Sequence, residues 1–374
     1  MSKYKKIRIY TLSVLLCSVV LYDCKSDKPD ISYTITSDTL DIIPPFSGYG
    51  FYESDRDSIY FYCKPKACDS LWLYVLTDSG WTFCDKLKIP EIYADTVDAD
   101  CEVSRWDLIN KDTVIAYVDF KHFSFLDVKS GSVIKSIPVI ADTAYDVRCF
   151  NHMQWNRHRQ SMGLMYFNSR TIPVKYNGDM EMMAEYSLKH GTRVFPFKYP
   201  YEITDTYLVN FSCEPLVVFY GDTMVVAFQT SPMMLCYDIK NKTTDSLYIK
   251  NKYYKALPKI DTTRISKVSA PNFMYEILLT SFYYTTFIYD HHKEMYYRFF
   301  AKDLPLKDRE GLLTTWDDKE YGLTLIDKHF NVVGDMIFKH NDYKAVYYPT
   351  HKGLYHAEQY KGKTILSLLN FNYQ

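Results

Sequence analysis

The sequence predicts an all-β protein, a β-propeller of four-stranded antiparallel blades, and three observations predict it. Strand-like runs rich in Tyr, Phe, Val and Ile fill most of the 374 residues. Turn residues interrupt those runs at a long period near 50 residues. Apolar residues hold no helical spacing over three turns outside the first two dozen positions. A sandwich shows no such long period, whereas a propeller blade occupies about this length.

The clearest unit runs through strand-like segments 112–118 and 122–127, the turn Val128-Lys129-Ser130-Gly131, and segment 132–139. Each piece is β-branched or aromatic and each break holds turn residues, so the unit is a small antiparallel meander. The same turn position is marked at Asp78, Asp127, Ser187, Asp238, Asp290 and Asp327, with intervals of 49, 60, 51, 52 and 37 residues. Residues 31–374 then supply seven blades of about 49 residues each. Six is the alternative, with the 37-residue interval read as a merged blade. The tail holds three further strand-like runs, 345–348, 353–358 and 364–369, without an outer strand of their own. Residues 31–43 alternate apolar and polar and are expected to supply it, so that N- and C-terminal strands close the ring and remove its open edges.

The chain begins with Lys3, Lys5, Lys6 and Arg8, then an apolar run over 11–22 that is too short to span a bilayer, and then Asp23-Cys24 and a polar stretch. This resembles a bacterial lipoprotein signal, which implies cleavage before Cys24 and its lipidation. Asp23 and bulky Tyr22 depart from the small residues usual there. The expected organisation is a signal peptide over 1–23, a polar linker over 24–30 and a single propeller over 31–374. The mature chain then carries 40 basic against 44 acidic residues.

Charged residues are 24% of the chain and aromatic ones 17%, enough to build a large core, which excludes disorder and a disulfide-stapled mini-protein. A net charge of −1 offers no basic field for nucleic acid. No Cys-x-x-Cys pair supports a zinc ribbon or thioredoxin-type site. Most cysteines read as small buried hydrophobes, although Cys63 and Cys68 are close enough in sequence to bridge a hairpin. No Walker loop, His-Glu-x-x-His or Gly-x-Ser-x-Gly elbow occurs, and the sequence assigns neither cofactor nor metal.

The lipoprotein-like leader, the Tyr-rich strands, the meander period and the length together resemble exported β-propeller lipoproteins of the Bacteroidota, in particular the domain-of-unknown-function 4221 group. That resemblance implies the fold and a cell-envelope location, and it brings no assigned chemistry. Asp78-Ser79-Gly80-Trp81-Thr82-Phe83 resembles the Asp-box turn of sialidase-type propellers, which stabilises a hairpin away from the active site. Nine Asp-Ser/Thr sites, such as Asp38-Thr39 and Asp222-Thr223, are similar to the O-glycosylation acceptor of exported Bacteroidota proteins, and strand-entry turns generate the same pattern.

The candidate ligand-binding stretch contains Arg148, His152, Trp155, Arg157, His158 and Arg159, inside the longest interval between turn markers. Arginine clamps carboxylates or phosphates and tryptophan stacks on rings, and loops on rigid scaffolds carry binding. His291 and His292 sit at an expected hairpin turn, where adjacent side chains diverge, so that a shared metal requires ligands from elsewhere. His351 and His356 flank a strand and are candidates to face a central channel. Paired tyrosines such as Tyr296-Tyr297 are expected to alternate between faces and fill the spaces between blades. The resulting expectation is a lipid-anchored binding or interaction module for protein, peptide or glycan, with no nucleic-acid partner and with a polysaccharide hydrolase or lyase as the rival.

Overall fold

A computed structural model describes residues 31–40, 45–54, 58–66, 68, 70–88, 105–110, 112–118, 122–138, 146–148, 155–156, 159–167, 174–175, 181–189, 192–198, 207–208, 215–256 and 276–373. Almost every element among them is a strand, as the period of the sequence requires. After β1 (Ser32–Leu40), the strands β2 (Phe46–Glu53), β3 (Ile59–Pro65), β4 (Ser70–Thr77) and β5 (Gly80–Lys88) pair in order as an antiparallel meander. The strands β6 (Arg105–Asn110), β7 (Thr113–Val118), β8 (His122–Asp127) and β9 (Val133–Pro138) repeat it. A five-stranded sheet follows, built from β10 (Asp146–Arg148), β11 (Trp155–Asn156), β12 (Ser161–Phe167), β14 (Glu181–Ser187) and β15 (Thr192–Lys198). Separately, β13 (Val174–Lys175) pairs with β16 (Tyr207–Leu208). The meander returns in β17 (Pro215–Tyr220), β18 (Thr223–Phe228), β19 (Met233–Asp238) and β20 (Thr243–Tyr248). It returns again in β21 (Tyr283–Asp290), β22 (Met295–Ala301), β23 (Tyr321–Asp327) and β24 (Val332–Ile337). The last three strands are β25 (Tyr348–Thr350), β26 (Gly353–Tyr360) and β27 (Lys363–Asn372).

The expected outer strand for that tail is found: β1 pairs antiparallel with β27 from Ser32 opposite Asn372 to Leu40 opposite Thr364, giving the sheet order β1-β27-β26-β25. First strands face one another around the axis, β2 against β6 and β25, and β21 against β17 and β25. Fourth strands such as β9 and β20 are exposed along most of their length. These are the relations of a propeller.

Among the described residues five sheets are four-stranded, which corrects the expected seven and also the alternative of six, since the β10–β15 sheet departs from the four-stranded pattern by carrying β11 as a fifth strand on β12. The period was overcounted for a local reason. Asp78, Asp127, Ser187, Asp238 and Asp327 mark turns between third and fourth strands, whereas Asp290 ends the first strand β21 and shares its sheet with Asp327. Both turns need the same chemistry, an Asp side chain accepting amides of the turn. Asp127 Oδ1 accepts the Ser130 amide at 2.7 Å, Asp238 Oδ1 accepts Asn241 at 2.8 Å, and Asp290 Oδ1 accepts His292 at 2.9 Å. A turn signal therefore repeats more often than a blade does.

Cores lie between adjacent sheets. Tyr296 and Tyr297, both fully buried, take opposite faces of β22. Tyr296 joins Val225, Ala227 and Met234 of the preceding sheet, and Tyr297 joins Leu354, Leu369 and Phe371 of the following one. At the Asp-box-like turn, Gly80 adopts φ +104°, Thr77 Oγ1 donates to the Gly80 carbonyl at 2.7 Å, and Trp81 packs against Phe51 and Tyr355. Cys63 and Cys68 carry free thiols, and Cys63 is a core residue whose thiol burial pushes up to about 12. Cys24 and the whole of 1–30 lie outside the described residues.

Candidate functional site

In a ring of meanders every first strand runs the same way, so the turns that follow these strands gather on one face. Three of them meet. Glu53 ends β2, His291 and His292 lie in the β21–β22 turn, and His351 lies in the β25–β26 turn. Glu53 Oε2 is 2.7 Å from His292 Nε2, and Glu53 Oε1 is hydrogen-bonded to His351 Nδ1. The His351 backbone amide also donates to Glu53 Oε2 at 3.2 Å. The imidazole rings of His291 and His292 lie 3.9 Å apart between centroids. One carboxylate oxygen and one nitrogen from each of these two histidines fall within 4.8 Å of one another.

The site is held from below. Asp290 has no exposed surface, and its Oδ1 accepts the amides of His292 and Lys293 at 2.9 and 3.2 Å while Tyr297 donates to Oδ2 at 3.2 Å. That network fixes the turn carrying both histidines. The Glu53 side chain is 11% exposed. Burial pushes its carboxyl up, but hydrogen bonds from His351 and His292 outweigh burial and hold it below the usual glutamate value.

Of the stretch singled out in sequence, Arg148, Trp155 and Arg159 lie among the described residues. Arg148 lies on β10 opposite Met165, and Trp155 lies on β11 opposite Met162. His152, Arg157 and His158 fall outside the described residues. Arg159 joins two sheets: its Nε donates to Glu185 Oε1 at 3.2 Å and its Nη1 to Asp222 Oδ1 at 3.1 Å in the β17–β18 turn. Beside it, Asn156 Nδ2 donates to the Gly221 carbonyl at 2.9 Å. His356 is 8% exposed, with Nδ1 2.7 Å from the Val346 carbonyl, and so is a core histidine.

Sequence reasoning missed Glu53, because a single acidic residue at a strand end has no signature. It did note that a metal at the His291-His292 pair needs ligands from other elements, and Glu53 places a carboxylate oxygen beside that pair.

Fold and site together define a β-propeller protein with a polar cluster, drawn from three sheets, at one mouth of its ring. The family described as domain of unknown function (DUF4221) matches residues 150–336, half of the chain, and the chain belongs to that family. Among solved structures it is similar to a DUF4221 member from Bacteroides vulgatus, with 13% identity and a TM-score of 0.66 over 94% of this chain and 100% of that one. It is also similar to a protein described as exported, from Bacteroides fragilis, with 10% identity and a TM-score of 0.50 over 94% of this chain and 97% of that one. No curated protein matches the chain. Among the described residues no helix is long and apolar enough to cross a membrane.

Proposed function

We propose that this protein is a cell-envelope lipoprotein, anchored through Cys24 after removal of residues 1–23, whose propeller serves as a binding or interaction module for protein, peptide or glycan. Residues 24–30 act as the linker, 31–374 form one propeller, and the β1–β27 pairing closes its ring. The observation that carries this reading is the convergence of Glu53, His292 and His351 from three sheets on one face. Scaffolded loop ends with polar side chains held in place are where rigid folds bind ligands.

The same convergence favours the rival, a polysaccharide hydrolase or lyase, as a second reading. A two-carboxylate mechanism needs a partner acid within about 5 to 9 Å of Glu53. The nearby Asp290 is fully buried and committed to its own turn, which favours binding over catalysis. The test is calorimetric titration of the protein with a panel of envelope polysaccharides and peptides, with reducing ends and unsaturated products assayed in parallel. Binding that falls at least tenfold in Glu53→Ala, without product, supports the module. Product formation that Glu53→Ala abolishes transfers the site to the enzyme reading. Affinity unchanged by the substitution overturns the assignment of this mouth.

A further inference from the structure

We propose that Glu53, His291 and His292 form a binding site for a divalent transition-metal ion of borderline softness, the zinc and nickel class, with His351 as a positioning residue. The proposal goes beyond the binding-module reading and does not depend on it.

Donor chemistry selects the class. Two imidazoles and one carboxylate suit zinc, nickel or copper. Calcium takes six to eight oxygens, and magnesium needs near-octahedral oxygen coordination, so a site with one carboxylate and two nitrogens recruits neither well. Geometry is close to what binding needs. Ligands at about 2.0 to 2.2 Å from a tetrahedral ion lie roughly 3.4 Å from one another. The three donor atoms already lie within 4.8 Å of one another and both histidines are exposed, so a small contraction closes the set. A metal replaces the direct Glu53–His292 contact, converting two hydrogen-bonded groups into two ligands.

The surroundings resemble those of built metal sites. The carboxylate oxygen that does not face His292 is hydrogen-bonded to His351 Nδ1, an outer partner that orients the ligating carboxylate. The buried Asp290 orients the turn carrying the two imidazoles through the His292 amide. Three protein donors leave one coordination position for water or an exogenous group. The ion ties β2 to the β21–β22 turn across the intervening sheet that contributes His351.

The test uses the untagged full chain in detergent, treated with a chelator and dialysed, then titrated with Zn²⁺ by calorimetry and with Co²⁺ by visible absorption. One equivalent should bind, the cobalt form should show the intense bands of a low-symmetry four-coordinate site, and zinc should raise the melting temperature. Glu53→Gln and His291→Ala should each weaken binding at least tenfold. His351→Gln should weaken it by about tenfold while keeping the cobalt bands, as an outer-sphere partner does. His291 lies on an exposed turn, so its variant keeps the test decisive if the Glu53 variant fails to fold. Failure of wild type to bind either ion below about 1 mM overturns the site, as does wild-type affinity in the folded His291→Ala and His351→Gln variants. The metal titration uses no glycan or peptide, so its failure leaves the binding-module reading standing and the converse also holds.

Discussion

Arg298 sits at the centre of β22 with no exposed surface, and its guanidinium donates to the carbonyls of Ser231, Phe228, Pro232 and Ile249 at 2.7, 3.0, 3.3 and 3.4 Å. It also lies 3.5 Å from the centre of the Tyr284 ring. One cation thus ties the loops of the β17–β20 sheet to the next sheet. Arg298→Met leaves those buried carbonyls unpaired and should cost about 3 kcal/mol or more, read as a fall in the denaturant midpoint. Arg298→Lys should recover only part of this, because an ammonium lacks the planar fork. Lys319, 4% exposed, donates to the carbonyls of Leu278, Leu279 and Ser281 at 2.7, 2.7 and 3.0 Å. Burial pulls its pKa down from 10.5 to about 7, with Asp303 opposing. The unfolded chain then holds a proton that the native chain has released between those values. The stability owed to this group therefore rises with pH through that window, by about 1.4 kcal/mol per pH unit. Denaturation of wild type and Lys319→Met at about pH 7, 8 and 9 should show a widening gap. A constant gap would mean that the three carbonyls keep the ammonium charged.

At the scale of elements, the tyrosine pairs were readable because strand geometry alone sends neighbours to opposite faces; Tyr296 and Tyr297 separate onto two inter-sheet cores in this way. Blade number was not readable, because the Asp-capped turn serves both Asp290 and Asp327 within one sheet. The first strand was readable, since the three tail strands had no outer partner of their own. Deleting residues 31–43 removes β1, the outer partner of β27, and bares that edge, so the melting temperature should fall by several degrees and aggregation should rise. An unchanged melting temperature would show that this pairing contributes nothing to the integrity of the ring.

For the whole molecule, the proposed leader sets a testable address. Replacing Cys24 by Ala should move the protein from the membrane fraction to the soluble fraction, measured by fractionation and immunoblotting, because the lipid is the proposed anchor. Continued membrane association would refute lipidation at that residue. The sequence by itself determined the strands, their turns, the family resemblance and the outer strand of the last sheet. The strands and turns follow from side-chain alternation and turn chemistry within a few dozen residues, the outer strand from counting strands without partners, and the resemblance from the leader, the Tyr-rich strands, the period and the length together. Only the tertiary structure decided the site. Arg159, read in sequence as part of a binding loop, spends its charge on Glu185 and Asp222 between sheets. Glu53, to which no motif drew attention, meets His292 and His351 from 239 and 298 residues away. Such contacts are fixed by the order of sheets around the ring and by the face on which their turns emerge, neither of which leaves a local trace in the chain.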